Sequence, residues 1–369
     1  MKTFTLPNAG SGTPREFGNL NPFIIAEIGV NHEGSLERAK NLISSAAEAG
    51  AHAAKFQTYT AEKLAARSTS PSYWDTSKEP TKSQYELFQR HGTFGEAEYR
   101  ALSEHCGEVG IEFMSTPFDL EAVGLLDPLM TVTKVASADL TNVPLLRRIR
   151  MTGKPVIMSV GAATHDEIRW AVDLMLGDEG SSAPVPQLTL LHCVLNYPTP
   201  HEAAQLGQIS RLRAEFGDRV SIGYSDHVCP QDDGTMPSMV LAVIQGAVVL
   251  EKHFTDDKQQ PGNDHYHAMD AADLAVFTEL LRTFRTLWGS DDLDLGSQTR
   301  AIENARRRVI AARSLSVGHV ITEGDLIALR SNEGIEIAQW DRVIGTEVVS
   351  ELQEGEPVSW GSVRVHEGH

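Results

Sequence analysis

The sequence has no cysteine pair close enough to clip a metal or form a redox disulfide. Its three cysteines, Cys106, Cys193 and Cys229, are odd in number and widely spaced, which argues against a disulfide framework. Long apolar runs are missing too. No stretch approaches the length of a membrane span, and the opening MKTFTLPNAGSGTPREFG carries no apolar signal-peptide core. Positive charge is scarce, with 32 Lys and Arg against 50 Asp and Glu and a net charge of −18. That weighs against a grip on a nucleic-acid backbone. It leaves an anionic small substrate open, because a local cluster of lysines and hydroxyls can oppose the overall field. No GxGxxG turn follows the first strand pattern, which weighs against a doubly wound dinucleotide fold. The expectation is a cytoplasmic protein with neither nucleic-acid nor membrane partners.

What the sequence does have is alternation. Its 369 residues, 41 % hydrophobic and 22 % charged, suffice for one large core and a small second domain. Strand patterns occur at Phe23–Glu27, Ala53–Thr58, Ile111–Thr116, Val132–Ser137, Pro155–Ser159, Gln187–His192, Val220–His227 and from Val248. Helical patterns fall between them, the first with Ser35 as N-cap and Gly50 as stop. Eight such units predict an α/β fold, a (β/α)₈ TIM barrel over residues 1–288, with chemistry at the strand C-termini. Residues 1–20 read as an extended arm. Residues 59–95, with Tyr73, Trp74, Tyr85 and Phe88, read as a lid or an accessory helix pair. Residues 289–305 read as a polar linker. From 306 to 369, short strands and glycines at roughly ten-residue spacing predict a small all-β module.

The strand ends carry the chemistry. In order they are Glu27, Lys55 with Gln57, Ser115-Thr116, Lys134 with Ser137, Ser159, His192, Ser225 with His227, and His253. Either His227 or His253 alone fits an ordinary hydrogen-bonded role. Two at equivalent strand ends point to a divalent metal with open positions. A lysine inside an apolar strand, as in Ala-Ala-Lys55-Phe or Val-Thr-Lys134-Val, is expensive to bury unpaired, and an anionic ligand explains it.

The blocks AEIGVNHEGSLERAK (26–40), KFQTY (55–59), STPFD (115–119), KVASADL (134–140), GKPVIMSVG (153–161), LLHC…YPTP (190–200), GYSDH (223–227) and LEKHFT (250–255) resemble the bacterial sialic acid synthase family. The C-terminal module resembles that family's antifreeze-like (SAF, β-clip) domain. The resemblance implies a phosphoenolpyruvate-dependent condensation onto an open-chain N-acetylated amino sugar, such as N-acetylmannosamine, giving a nonulosonic acid and phosphate. It further implies Mn²⁺ or Mg²⁺ on His227 and His253. Phosphoenolpyruvate would be held by Lys55, Thr116, Lys134, Ser137, Ser159 and Ser225, with Glu27 handling protons. The acceptor would meet Gln57, Asp139, Tyr197 and Asp264, with Arg330 supplied by the small domain of a second chain in a domain-swapped homodimer. Asp139, Leu195, Val160-Gly-Ala162 and Arg330-Ser-Asn-Glu-Gly334 depart from the family pattern, mostly on the acceptor side. The identity of the sugar therefore stays open. So do a related synthase acting on a different aldose and a carbohydrate-binding protein without activity.

Overall fold

Each apolar run forms a parallel strand in the computed structural model, and helices between the strands pack back onto the sheet. The structure describes residues 2–7, 13–18, 20–71, 80–92, 94–177, 183–262, 264–290 and 292–365. The strands are β1 (Phe23–Gly29), β2 (Ala53–Thr58), β3 (Glu112–Pro117), β4 (Thr133–Val135), β5 (Val156–Ser159), β6 (Leu188–Cys193), β7 (Ser221–Asp226) and β8 (Val249–His253). They pair in chain order, β8 returns to β1, and β4 lies beside β3 across the one seam without a ladder. The sheet is thus a nearly closed barrel, as the alternation predicts.

Local chemistry sets the helix starts. Ser35 Oγ accepts from Arg38 N at 3.2 Å ahead of Leu36–Glu48, Asp119 caps Leu120–Leu126, and Thr164 with Glu167 forms a capping box before His165–Leu176. The helix after β6 begins at Gly207, after a short 3₁₀ turn at His201–Ala203.

Side chains two apart in a strand share a face. Phe23, Ile25, Ala53, Met114, Ile157, Leu191 and Val249 belong to one buried apolar cluster in the barrel interior. Their neighbours Ile24, Ala54, Phe113, Leu190 and Leu250 belong to a second cluster between sheet and helices. Space inside is tight: a Cβ on Gly223 would lie 2.3 Å from Val249 O and 2.5 Å from Leu191 Cδ2.

The first residues are not an extended arm. Phe4–Leu6 and Arg15–Phe17 pair as antiparallel strands, with Phe4 opposite Phe17. Phe4, Leu6 and Phe17 join the interior cluster, with the Phe4 and Phe17 rings 5.1 and 5.0 Å from that of Phe23. The segment plugs the end of the barrel where the strands begin. Three-residue strands are too short to show alternation, so composition alone reads this segment as loop.

In the insertion, the described residues form an accessory helix pair, Ala61–Leu64 and Gln84–His91. Tyr85 donates to Glu62 Oε1 at 2.6 Å, and Phe88 packs edge-on against Tyr59 at 5.3 Å. Tyr73 and Trp74 lie outside the described residues. Among the described residues, no helix is long and apolar enough to cross a membrane.

The chain divides into two units, Met1–Trp288 and Gly289–His369. The second opens with a helix, Thr299–Ala305, inside the segment that reads as linker. Its antiparallel pairs are β9 (Arg307–Ala311) with β10 (Leu326–Arg330), and β11 (Glu347–Val348) with β12 (Val363–Arg364). They enclose a small core that includes Val309, Leu315, Ile321, Val343 and Val358. This is the small all-β module expected.

Candidate active site

Moving up the barrel, the inward face changes from apolar to polar at one level. Ile25 is followed two residues on by Glu27, Ala53 by Lys55, Met114 by Thr116, Ile157 by Ser159, Leu191 by Cys193 and Val249 by Glu251. Register confirms the common face: Glu27 lies opposite Lys55, Cys193 opposite Ser225, and Ser225 opposite Glu251. The C-terminal half of the interior is therefore a chamber of titratable and hydroxyl groups on a packed apolar floor.

Four buried charges occupy that chamber. Lys55 Nζ contacts Glu27 Oε2, lies 3.6 Å from Glu251 Oε2 and donates to Thr116 Oγ1 at 3.2 Å. Lys134 Nζ donates to Ser159 Oγ at 2.8 Å and lies 3.3 Å from Glu251 Oε1. Ser225 Oγ completes the Glu251 site by donating to Oε1 at 2.9 Å. Glu251 thus stands between the two lysines. The lysines do not wait unpaired for an anion; a resident carboxylate already compensates them. Sequence reasoning gives Glu251 no role, yet it stands two residues before His253 and so on the same face.

The environment pushes the two carboxylates apart. Burial, reinforced by the charge of Glu251, raises Glu27 to about 7 against the pull of Lys55. Burial also acts on Glu251, but Lys134 and Lys55 outweigh it and hold that carboxyl down at about 2. Lys55 is raised, because Glu251 and Glu27 overcome its desolvation. Lys134 is lowered by burial, which its contact with Glu251 does not fully offset. One carboxyl able to exchange a proton near neutrality beside one that stays ionised is an acid–base arrangement. Gln57 Nε2 donates to Glu27 Oε1 at 2.9 Å. Gly29 is needed here: its φ is +54°, and a Cβ would lie 3.3 Å from both Glu27 Oε1 and Gln57 Nε2.

At the mouth the His227 and His253 rings lie 5.4 Å apart. His227 Nδ1 donates to Val194 O at 2.7 Å, so its Nε2 carries the lone pair. His253 Nδ1 lies 3.2 Å from Asp264 Oδ2, outside hydrogen-bond geometry, which again leaves Nε2 for a ligand. Burial pushes His253 well below its ordinary value, His267 and His227 adding to the effect and Asp264 opposing it, so the imidazole is neutral. Two imidazoles with ring centroids 5.4 Å apart suit one ion bound ~2.1 Å from each nitrogen. The donor set fits a divalent metal.

The other expected residues fall as follows. Tyr197 lies over His227 with centroids 4.2 Å apart. Ser137 Oγ accepts from Gly161 N at 2.9 Å. Asp139, half-buried and raised by burial, accepts from Asn142 in its own turn at 2.9 Å. Arg330 ends β10 in the second unit. His192 leaves the chamber: its Nε2 donates to Ala204 O at 2.8 Å, and its ring stacks on Tyr224. Cys193 and His267 are further chamber residues that sequence reasoning does not single out. Burial opposes ionisation of the Cys193 thiol, but His227 and, to a smaller extent, Ser137 and Lys134 hold it below its ordinary value. Period two from Leu191 could have found Cys193; nothing local marks His267.

A barrel with compensated lysines, a proton-exchanging carboxyl and a metal-competent histidine pair at its strand ends is built for catalysis on an anionic substrate. Comparison with known proteins gives this class a family. Residues 42–292 match the NeuB family, and residues 306–364 match a SAF domain. The N,N'-diacetyllegionaminic acid synthase of Legionella pneumophila is 35% identical over 95% of this chain and 98% of its own. The N-acetylneuraminate-9-phosphate synthase of Homo sapiens is 34% identical over 86% of each chain. Among solved structures, N-acetylneuraminic acid synthetase from Leptospira borgpetersenii, in complex with citrate, superposes with a TM-score of 0.65 and 31% identity over 81% of this chain and 96% of its own. The chain belongs to the NeuB family, and the relatives named above are synthases of N,N'-diacetyllegionaminic acid, N-acetylneuraminate 9-phosphate and N-acetylneuraminic acid.

Proposed function

We propose that the protein condenses phosphoenolpyruvate with an open-chain N-acetylated amino sugar, releasing phosphate and a nonulosonic acid. The observation that carries this reading is the chamber itself: Lys55 and Lys134, balanced by Glu27 and Glu251, beneath the His227–His253 pair. An arriving trianion would take charge-assisted bonds from both ammonium groups. Ser159, which accepts from Lys134, keeps its own O–H to donate, and Thr116 and Ser137 offer further hydroxyls at the same level. Ser225 is committed to Glu251 and would serve by fixing that carboxylate.

A divalent ion on His227 and His253, Mn²⁺ or Mg²⁺, supplies Lewis-acid polarisation of the acceptor's aldehyde oxygen. In the chemistry we propose, C3 of phosphoenolpyruvate bonds to the aldehyde carbon, and water oxygen bonds to C2. The C2–O bond to phosphate then breaks. Glu27, near neutrality in its buried site, is placed to take a proton from that water and return it to the departing oxygen, while the second water proton leaves the C2 hydroxyl as the keto group forms and ends on the former aldehyde oxygen. Gln57 orients Glu27. Tyr197 and Asp139 face the acceptor side in this reading, and a second copy of the chain supplies Arg330. The test is incubation with phosphoenolpyruvate, Mn²⁺ and a panel of N-acetylated amino sugars, following phosphate release and product mass. A product lacking the three carbons of pyruvate, or no phosphate release with any sugar, overturns it.

A further inference from the structure

Asp264 is assigned to the sugar by resemblance, yet both its oxygens face imidazoles. Oδ2 lies 3.2 Å from His253 Nδ1, and Oδ1 accepts from His267 Nε2 at 3.2 Å. His267 is completely buried, with its ring at 86° to that of His253 and 4.9 Å away. Its Nδ1 is buried and finds no hydrogen-bond partner. Nε2 is therefore the nitrogen that carries a proton toward Asp264, whose oxygen accepts it. Among the described residues, no three His, Cys, Asp or Glu side chains converge as a preformed metal-binding group. His267 reaches His253 through Asp264, whose Oδ1 meets His267 Nε2 while Oδ2 faces His253 Nδ1.

We propose that His267 is a positioning residue of the metal centre, acting through Asp264 on His253. The N–H of His267 pins one carboxylate oxygen, and the backbone N of Asp264 donates to Asn31 Oδ1 at 3.3 Å. The second oxygen is thereby held 3.2 Å from His253 Nδ1, where its negative charge favours the proton on Nδ1 and leaves the Nε2 lone pair for the mouth. Outer partners of this kind commonly change metal affinity by ~10- to 100-fold. Without His267 the carboxylate loses its pin and turns. The inference rests on the metal part of the proposed function and assigns Asp264 to the metal side of the site.

The experiment titrates Mn²⁺ into the full-length protein, reading free ion by electron paramagnetic resonance, with phosphoenolpyruvate affinity measured separately in metal-free buffer. His267→Phe is expected to weaken Mn²⁺ binding by ~10-fold or more while leaving phosphoenolpyruvate affinity within about twofold. His267→Gln, whose amide N–H can replace Nε2–H, should recover most of the loss; His267→Asn, too short to reach Asp264, should not. In an Asp264→Ala background His267→Phe should add nothing, since its route to the metal is gone. Wild-type Mn²⁺ affinity in His267→Phe overturns the proposal, as does a full additional loss in the double variant. If His267→Phe does not fold, equal Mn²⁺ affinities for the Gln and Asn variants overturn it. Wild-type protein that binds no Mn²⁺ refutes this inference together with the metal assignment, whereas a wild type that binds and a His267→Phe that is unaffected refutes this inference alone.

Discussion

Replacing Glu251 by Gln removes one charge from the centre of the chamber and almost no volume. In the native chain its oxygens lie 3.3 Å from Lys134 Nζ and 3.6 Å from Lys55 Nζ. At an effective dielectric near 20, each contact is worth about 5 kcal/mol of attraction. The net loss is smaller, because a buried carboxylate no longer has to be desolvated and Lys134, already lowered by burial, can shed its proton. Lys55 also keeps Glu27. Breaking one side of a buried ion pair typically costs about 3–5 kcal/mol, which for a unit of this size corresponds to a fall in Tm of roughly 5–8 °C. Calorimetry should show that fall in the free protein. Phosphoenolpyruvate should reverse more of it in Glu251→Gln than it adds to wild type, since the ligand then meets a chamber without the competing Glu251 carboxylate and takes over its role as counter-ion. A Tm within 2 °C of wild type, or a smaller ligand-induced rise in the variant, would refute the assignment of Glu251 as the lysines' counter-ion.

Glu27→Gln should lose turnover by orders of magnitude and remove a transition near pH 7 from the stability profile. A carboxyl raised from 4.5 to about 7 contributes stability that is fully present below pH 4.5 and lost as the pH rises through 7. Wild type should therefore weaken relative to the Gln variant by roughly 3 kcal/mol between pH 4.5 and 8, as measured by urea titration at each pH. His253→Ala should bind Mn²⁺ poorly and lose activity while keeping its circular dichroism; wild-type turnover in chelator-treated buffer would defeat the metal assignment. Arg330→Ala chains mixed with Lys134→Ala chains should regain partial activity after subunit exchange if the small domain works in trans, and native mass spectrometry showing exchange without recovery would count against it. Phe4→Ala, at a fully buried ring under the barrel, should cost about 3–5 kcal/mol; a loss under 1 kcal/mol by denaturant titration would mean that the hairpin is not part of the core.

Eight apolar runs with helical patterns between them specify the barrel because period two and period 3.6 are both written locally. The same period places Glu27, Lys55 and Ser159 on the inward face, each two residues beyond an apolar interior residue. Glu251 was equally legible on that rule, in Val249-Leu-Glu-Lys-His253. Its neighbour Lys252 shows why the rule matters, since it points outward and pairs with buried Asp226 at 2.9 Å. The Asp264–His267 contact was not legible. Residues 257 to 262 loop away after His253, and only the tertiary path of the chain returns Asp264 to the strand end. The amino-terminal plug escaped for a different reason: its apolar residues gain their partners from strands far along the chain.

That plug also constrains how the molecule is made. Phe4 and Phe17 leave the ribosome long before the strands they pack on: their cluster includes Val248 and Val249, and the carbonyl of Thr3 accepts from Ser221, 218 residues later. Contacts of such long sequence separation form late, after much loop-closure entropy has been spent. Until β8 has been synthesised, this hairpin carries bare aromatic surface with no complete floor to cover. Its seating would mark the moment when the barrel closes, and slowing it would leave a nearly finished chain open to association through its own first residues.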